Sequence, residues 1–386
     1  MKKQYARIAG AGVDVHLRFS SVTFRDSHQK IVRRERLDHT DRQQLRHRLA
    51  QWPKGLPVVV ESSFGWPWLT DLMREAGLNV CLANCLKVEK MRRLRAEAKS
   101  NRKDADLLSH LLFEHSRWWK VWPPPPAVRQ VREWTRHRSQ LVKLQTGTKN
   151  RIHAILHRHG IFHDFSDLFG TRGRAFLEQL CVHGDQRLSA GGHWALCADL
   201  RVLRQVRAEL ASILRELRRQ LKDRPVVRLL QTIPGVGLLL AYVLYAEIGR
   251  IDRFGSTKAL ASYALLAPRA SDSGEADPTR APIGRRLGTR GNRTLKWAML
   301  TAARGAVCRG GRWRQIYDRY TNGGKVNRNR GYIKVGRILI GVVRAVWRSG
   351  QAYRPDGQAE QAGGNGPAKQ TSRSGTGEPS PAMVGA

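Results

Sequence analysis

Three carboxylates and one amide stand where a hard cation could be held against a phosphate. Asp14 closes the stretch Ala11-Gly12-Val13-Asp14 and Glu61 follows Val58-Val59-Val60, so both read as acids leaving neighbouring β-strands at the edge of a buried sheet. A carboxylate placed there costs several kcal/mol of desolvation unless something positive neutralises it. Oxygen donors of this kind suit Mg²⁺ or Mn²⁺. Lys99-Ser100-Asn101-Arg102-Lys103-Asp104-Ala105-Asp106-Leu107-Leu108 reads as a helix in which residues 101 and 104 share a face, which offers Asp104 with Asn101 as a third contribution. Two metals about 4 Å apart, held this way, stabilise the attacking and leaving oxygens of a phosphodiester. Taken singly, each acid also reads as a strand-end turn residue or a salt-bridge partner in an arginine-rich chain. The order strand Asp, strand Glu, helix Asp is more specific than any one member, and it is what a two-metal nuclease of the RNase H type needs.

A second chemistry lies further along. After Ala267-Pro268 comes the polar loop Arg269-Ala270-Ser271-Asp272-Ser273-Gly274-Glu275, followed by an arginine-rich stretch from Gly284 to Arg293. A serine hydroxyl is a weak nucleophile unless a base or cation assists it, and Arg285, Arg286, Arg290 and Arg293 offer positive charge to a scissile phosphate. The same serines also read as ordinary turn residues. Upstream, Thr232-Ile233-Pro234-Gly235-Val236-Gly237 separates two apolar helical stretches. Gly235 and Gly237 free the backbone there, so that amides at the hairpin and at the next helix N-terminus grip a phosphate without reading sequence. A plain helical hairpin fits the same residues.

The charge favours a polyanionic partner. Lys and Arg total 69 against 31 Asp and Glu in 386 residues, a net +38, which argues against an ordinary metabolic enzyme. Residues 226–350 carry 23 basic and 6 acidic side chains, and within 278–348 there are 18 basic residues with Asp318 as the only acid. No apolar run reaches the roughly 18 residues that a membrane span needs, so no membrane partner is expected. The opening Met1-Lys2-Lys3-Gln4 leads into a mixed polar segment without the apolar core of a secretory signal. A cytoplasmic protein follows as the expectation, with its five irregularly spaced cysteines reduced. Cys81 and Cys85 lack a second Cys or His pair nearby, so zinc is not expected.

Stepping outward, residues 1–118 read as an α/β domain: strands over 6–15, 22–24, 56–61 and 78–82, a helix over 66–76, and a long basic helix over 88–113. The tryptophan cluster at 118–122 runs into four prolines, 123–126, which mark a boundary. Within 119–225, Val128, Val131, Trp134, Leu141, Leu144, Ile152 and Ile155, and again Leu203, Val206, Leu210, Ile213, Leu217 and Leu221, keep helical spacing. Both sets read as coiled-coil seams of an oligomerising hairpin, or as a plain helical bundle. Residues 226–350 form a third segment. The tail 351–386, rich in Gly, Ser, Gln, Ala and Pro, reads as disordered.

Over about residues 6 to 350 the chain resembles the DEDD-type transposases of the insertion-sequence one-ten family, also called Piv-like or bridge-RNA-guided recombinases. The resemblance rests on Gly12-Val13-Asp14-Val15, Val60-Glu61-Ser62, the Lys-x-x-x-x-Asp-Ala helix at 99–105 and Val121-Trp122-Pro123-Pro124. It continues through Lys149-Asn150-Arg151-Ile152-His153-Ala154-Ile155-Leu156, Thr232-Ile233-Pro234-Gly235-Val236-Gly237, Ala246-Glu247-Ile248-Gly249, Arg253-Phe254, Ser273-Gly274 and Gly291-Asn292. It implies a RuvC-like (RNase H-type) α/β N-terminal domain, a helical coiled-coil middle and a mainly α C-terminal domain with a helix-hairpin-helix element.

Further implications concern the site and its partners. The family's metal-binding Asp, Glu, Asp, Asp carries over to Asp14, Glu61 and Asp104, with Asn101 standing where the family has an acid. Asp106 is a substitute two residues on, facing elsewhere. The family's nucleophilic serine falls on Ser273, with Ser271 the runner-up. Mg²⁺ or Mn²⁺, donor and target DNA, a noncoding bridge RNA and a homodimer or homotetramer are implied. Two rival readings stand beside this transposase: a metal-dependent junction resolvase or nuclease that uses only the first domain, and a nonenzymatic nucleic-acid-binding scaffold.

Overall fold

The computed structural model describes residues 7–94, 101–114, 116, 118–268, 287 and 291–355. They fall into two compact units divided between Pro125 and Pro126.

The first unit is a six-stranded mixed sheet in the order β3-β2-β1-β4-β5-β6. Its strands are β1 (Gly10–Val15), β2 (Phe19–Arg25), β3 (Ile31–Asp38), β4 (Pro57–Glu61), β5 (Asn79–Ala83) and β6 (Lys120–Val121), and its helices are α1 (Arg42–Ala50), α2 (Trp66–Glu75), α3 (Cys85–Leu94) and α4 (Asn101–His110). The first three strands are antiparallel, β1 to β4 and β4 to β5 run parallel, and β6 closes the far edge antiparallel to β5. The two parallel steps need crossovers, which α1 and α2 supply. On one face Ala11, Val13, Val58 and Val60 pack with Leu45, Leu49, Trp52, Leu69 and Met73. On the other, Val59 packs with Leu107, Leu108 and Leu111 around α4.

Several expectations shift in detail. β3 and α1 were not legible as elements, because β3 is dominated by Arg33, Arg34, Glu35 and Arg36. Of the single long helix expected over 88–113, the described residues show α3 up to Leu94 and α4 from Asn101, and residues 95–100 lie outside the described ones. The boundary lies later than 118, since Lys120 and Val121 pair with Ala83 and Leu82. Pro126 opens the next helix at its first position, where a missing N–H costs nothing.

The second unit is helical. It contains α5 (Pro126–Arg158), α6 (Thr171–His183), α7 (Ala190–Leu221), α8 (Pro225–Gln231), α9 (Leu238–Ile248), α10 (Thr257–Tyr263), α11 (Arg293–Cys308), α12 (Gly311–Thr321) and α13 (Arg328–Ser349). Ile152, Ile155 and Leu156 of α5 pack with Leu177 and Leu180 of α6 and with Leu196, Leu200 and Leu203 of α7. Helix α9 is buried from Leu240 to Ile248, so it is the helix around which its neighbours pack. The expectation that all cysteines are reduced is corrected for one pair: Cys181 of α6 and Cys197 of α7 are joined as a disulfide across Cα atoms 5.5 Å apart, while Cys81, Cys85 and Cys308 are free. Facing helices bring the two sulfurs together, a proximity that a sixteen-residue separation does not reveal. Among the described residues no helix is long and apolar enough to cross a membrane.

Candidate active site

Glycine positions the acids of the first unit. Gly10, Gly12 and Asp14 alternate onto one face of β1, and a Cβ on Gly12 would lie 2.1 Å from the Ser109 amide nitrogen and 2.5 Å from the Ala105 carbonyl oxygen. Helix α4 therefore sits on β1 at a distance only glycine allows. Leu112 lies over Gly10 and Ala105 to Ser109 over Gly12, so the chain from α4 onward runs opposite to β1 and its N-terminal turn points toward Asp14. The parallel pairing of Val13 with Val60 leads one step on to Asp14 and Glu61, and Val59 with Glu61 shares the α4 face. Asp14, Glu61 and the start of α4 thus meet at one end of the sheet, on one face.

The side chains there are engaged in pairs. Asp14 is 7% exposed and lies 3.1 Å from His16 Nε2. Asp104 lies 3.5 Å from Arg92 Nη1, an arginine that also holds Glu89. Ser62, next to Glu61, is 3.5 Å from the Cys85 sulfur. Among the described residues, no three His, Cys, Asp or Glu side chains are close enough to hold a metal ion, so the expected three-acid cluster is not closed. Arg92 instead offers Asp104 a counter-charge. The donor set still fits a hard cation in kind, being oxygen-only, largely desolvated and on one face. Ligation by Asp104 would set the cation beside, or in competition with, Arg92 at Oδ1.

Asp106 belongs to a different structure. Thr23 Oγ1 donates to its carboxylate at 2.7 Å, and Arg34 donates from Nε at 3.0 Å and Nη2 at 2.8 Å. Burial alone would raise its pKa, but the hydrogen bonds from Arg34 and Thr23 hold it below the usual carboxylate value. Together with Arg25, which donates to Ser109 Oγ at 2.7 Å, it clamps α4 to the sheet. Two residues along a helix face different ways, so Asp106 faces away from Asp104 and toward Arg34 and Thr23. The side chain of Asn101 lies outside the described residues.

In the second unit, Ser271, Ser273, Arg285, Arg286 and Arg290 also lie outside the described residues. The flanks of their segment are described: Pro268 and Leu287 form an antiparallel bridge, and the Asn292 amide donates to the Tyr263 carbonyl at 2.8 Å. Arg293 is exposed at the start of α11. Gly237 is exposed and caps α9, whereas Gly235 is a packing residue. At φ +81°, a Cβ on Gly235 would lie 2.0 Å from the Ala302 carbonyl of α11, so this hairpin glycine is pressed into a neighbouring helix.

Sequence reasoning missed the strongest polar network. Glu247, fully buried in α9, accepts from Arg136 Nε and Nη2, both at 2.9 Å, and from Asn292 Nδ2 at 2.7 Å. Asn292 also donates to Tyr263 Oη at 3.1 Å, and its Oδ1 caps α11 through the Leu295 amide. Arg132 and Arg253 donate to the last carbonyls of α9. The signal was present as a lone acid inside Leu238-Leu239-Leu240-Ala241-Tyr242-Val243-Leu244-Tyr245-Ala246-Glu247-Ile248, since a buried charge demands a partner.

A mixed sheet with three antiparallel strands leading into two parallel ones, carrying acids at the ends of its first and fourth strands and a helix packed across that face, defines an RNase H-like domain, here followed by a helical unit. Residues 11–161 match a family model described as a transposase of the DEDD IS110 type, and residues 227–318 match one described as the transposase IS116/IS110/IS902 family. The chain belongs to the IS110-family transposases. It is 32% identical over 160 residues to the insertion element IS110 uncharacterized 43.6 kDa protein of Streptomyces coelicolor, a match that covers 41% of this chain and 37% of that relative.

Proposed function

We propose that this protein is a transposase that cuts and rejoins DNA, the first unit acting through Asp14, Glu61 and Asp104 and the second through Ser273. The observation that carries this reading is the arrival of Asp14, Glu61 and the first turn of α4 on one face at one end of the sheet. Those three carboxylates would hold Mg²⁺ or Mn²⁺, and a bound divalent cation supplies charge stabilisation for the oxygens of a phosphodiester. The chain's own share is orientation. Gly12 lets α4 approach, Asp106 with Arg34 and Thr23 fixes the helix, His16 lies against Asp14, and Arg92 holds counter-charge against Asp104.

For the second unit, family membership and the tethered flanks at Pro268–Leu287 and Asn292 support a nucleophilic Ser273 with arginines 285, 286, 290 and 293 about the phosphate, Ser271 being the alternative. The long packed helices α5 and α7 support coiled-coil assembly into dimers or tetramers. The turn around Gly237 supports phosphate contact of the helix-hairpin-helix kind. Charge of +38 and the family resemblance support a noncoding guide RNA and a cytoplasmic setting. Binding without cleavage is favoured by one observation, the capture of Asp104 by Arg92 beside an amide at 101.

The test is strand exchange by the full chain on the DNA flanking its element. The serine variant Ser273→Ala should abolish exchange and covalent protein–DNA adducts while retaining RNA binding, and Glu61→Gln should lower exchange at limiting Mg²⁺. Exchange by Ser273→Ala at the parent rate overturns the serine assignment, and salt-sensitive binding without any strand breakage returns the protein to the scaffold reading.

A further inference from the structure

The sheet end that carries the acids is rimmed by exposed apolar side chains. Phe64 is 106% exposed, Leu17 92% and Leu86 54%, and they follow β4, β1 and β5, three neighbouring strands, just past their C-terminal ends. Single exposed hydrophobics are normal. Three at one sheet end, around the buried Asp14 and the partly buried Glu61, in a chain this basic, call for an occupant.

The turns that present them are pinned. Leu17 sits at the tip of a tight turn closed by the His16 amide donating to the Phe19 carbonyl at 2.9 Å, and the His39 amide donates to the Arg18 carbonyl at 2.9 Å. Past Glu61, the Ser62 amide donates to the Ala83 carbonyl and the Ser63 amide to the Glu61 carbonyl, both at 2.9 Å. A Cβ on Gly65 would come within 2.9 Å of Val15 Cγ1, so the turn is also pressed against β1. Phe64 therefore projects from a pinned turn three residues from a candidate catalytic acid.

A phosphate bound at those acids brings the adjoining sugar and base within reach of this rim. In stacked duplex the bases are turned inward, and an apolar side chain meets them only by entering between base steps, as wedge residues do in proteins that kink DNA. An aromatic ring stacks on any base, because every base has a π-face. We propose that Phe64 is an unstacking wedge, its ring inserted beside the nucleobase that flanks the phosphate held at Asp14 and Glu61. On that footing this end of the sheet selects unpaired or kinked DNA over continuous duplex. The inference rests on the proposed DNA-cutting role of the first unit and adds the feature of the substrate that the site reads.

The experiment uses the full chain, a duplex and a branched DNA with thymines at the branch point, and permanganate, which oxidises unstacked thymines. Wild type should make one or two branch-point thymines reactive. Phe64→Ala should bind with about tenfold lower affinity, the order expected for one lost base–aromatic stack, and leave them unreactive. Phe64→Trp should restore reactivity, and a mismatch opened at the same position should restore affinity to Phe64→Ala. Equal thymine reactivity in wild type and Phe64→Ala, or none with either, overturns the wedge. So does a changed oligomeric state in Phe64→Ala with reactivity intact, which would assign the ring to a protein contact. Glu61→Gln separates the two claims: if it still unstacks thymines and still cuts at the wild-type rate, the unstacking role of Phe64 stands while the metal-site reading, and with it the placing of the phosphate at Asp14 and Glu61, falls.

Discussion

Replacing Glu247 by Gln removes one charge from the centre of the helical unit while keeping its shape. Arg136 then loses its ionic partner at 2.9 Å, Arg132 loses a carboxylate oxygen at 3.5 Å, and Asn292 loses a charge-assisted bond at 2.7 Å. Breaking a buried pair costs about 3–5 kcal/mol when the remaining charge is trapped. Arg136 is 54% exposed and can return to water, so the loss should fall at the low end, about 3 kcal/mol. For a unit of this size that lowers Tm by roughly 6–12 °C. Burial alone would raise the pKa of Glu247, but the hydrogen bonds and charge of Arg136, with Arg132 and Asn292, hold it below the usual carboxylate value. The sign follows: a depressed pKa stabilises the fold above the unfolded value of about 4 and loses that contribution as pH falls through the folded one. Thermal unfolding of wild type and Glu247→Gln at pH 7 should therefore show the full gap, narrowing as the pH drops below about 4. A Tm within 2 °C of wild type at pH 7, or a gap independent of pH, would refute the view that this network stabilises the unit as an ion pair.

Two further outcomes concern the first unit. Gly12→Ala places a methyl against backbone of α4 at 2.1 Å, where no side chain can yield, and should destabilise by about 3 kcal/mol, read as a lower midpoint in urea with loss of strand cutting. Asp106→Asn removes the ion pair with the exposed Arg34 and should cost about 1 kcal/mol while lowering the cutting rate far less than Asp104→Asn does, which separates this clamp from the neighbouring Asp104.

The sheet was legible where physical demands coincide with residue type. The apolar runs before Asp14 and Glu61 mark strands buried on both faces, and Pro126 marks the helix start. β3 was not legible, because an edge strand with charged residues at 33, 34, 35 and 36 has no apolar period to read. Of the candidate site, the two strand acids were readable from their burial cost and the third from helix spacing. What spacing could not supply was the partner each acid takes: His16 for Asp14 and Arg92 for Asp104 come from the fold. Gly235 carries a demand that spacing did not show, since its lack of a Cβ lets the hairpin press against α11. Glu247 was readable in principle, yet its partners Arg136 and Asn292 lie 111 and 45 residues away, beyond any periodicity.

The central claim is that Asp14, Glu61 and Asp104 hold a divalent cation together, and Mn²⁺ binding to the full chain, followed by electron paramagnetic resonance, tests it most directly. Wild type should bind Mn²⁺, and Asp14→Asn, Glu61→Gln and Asp104→Asn should each weaken that binding at least about tenfold without lowering Tm, as expected when one of few hard ligands is lost. Equal Mn²⁺ affinity in wild type and all three variants would contradict the account.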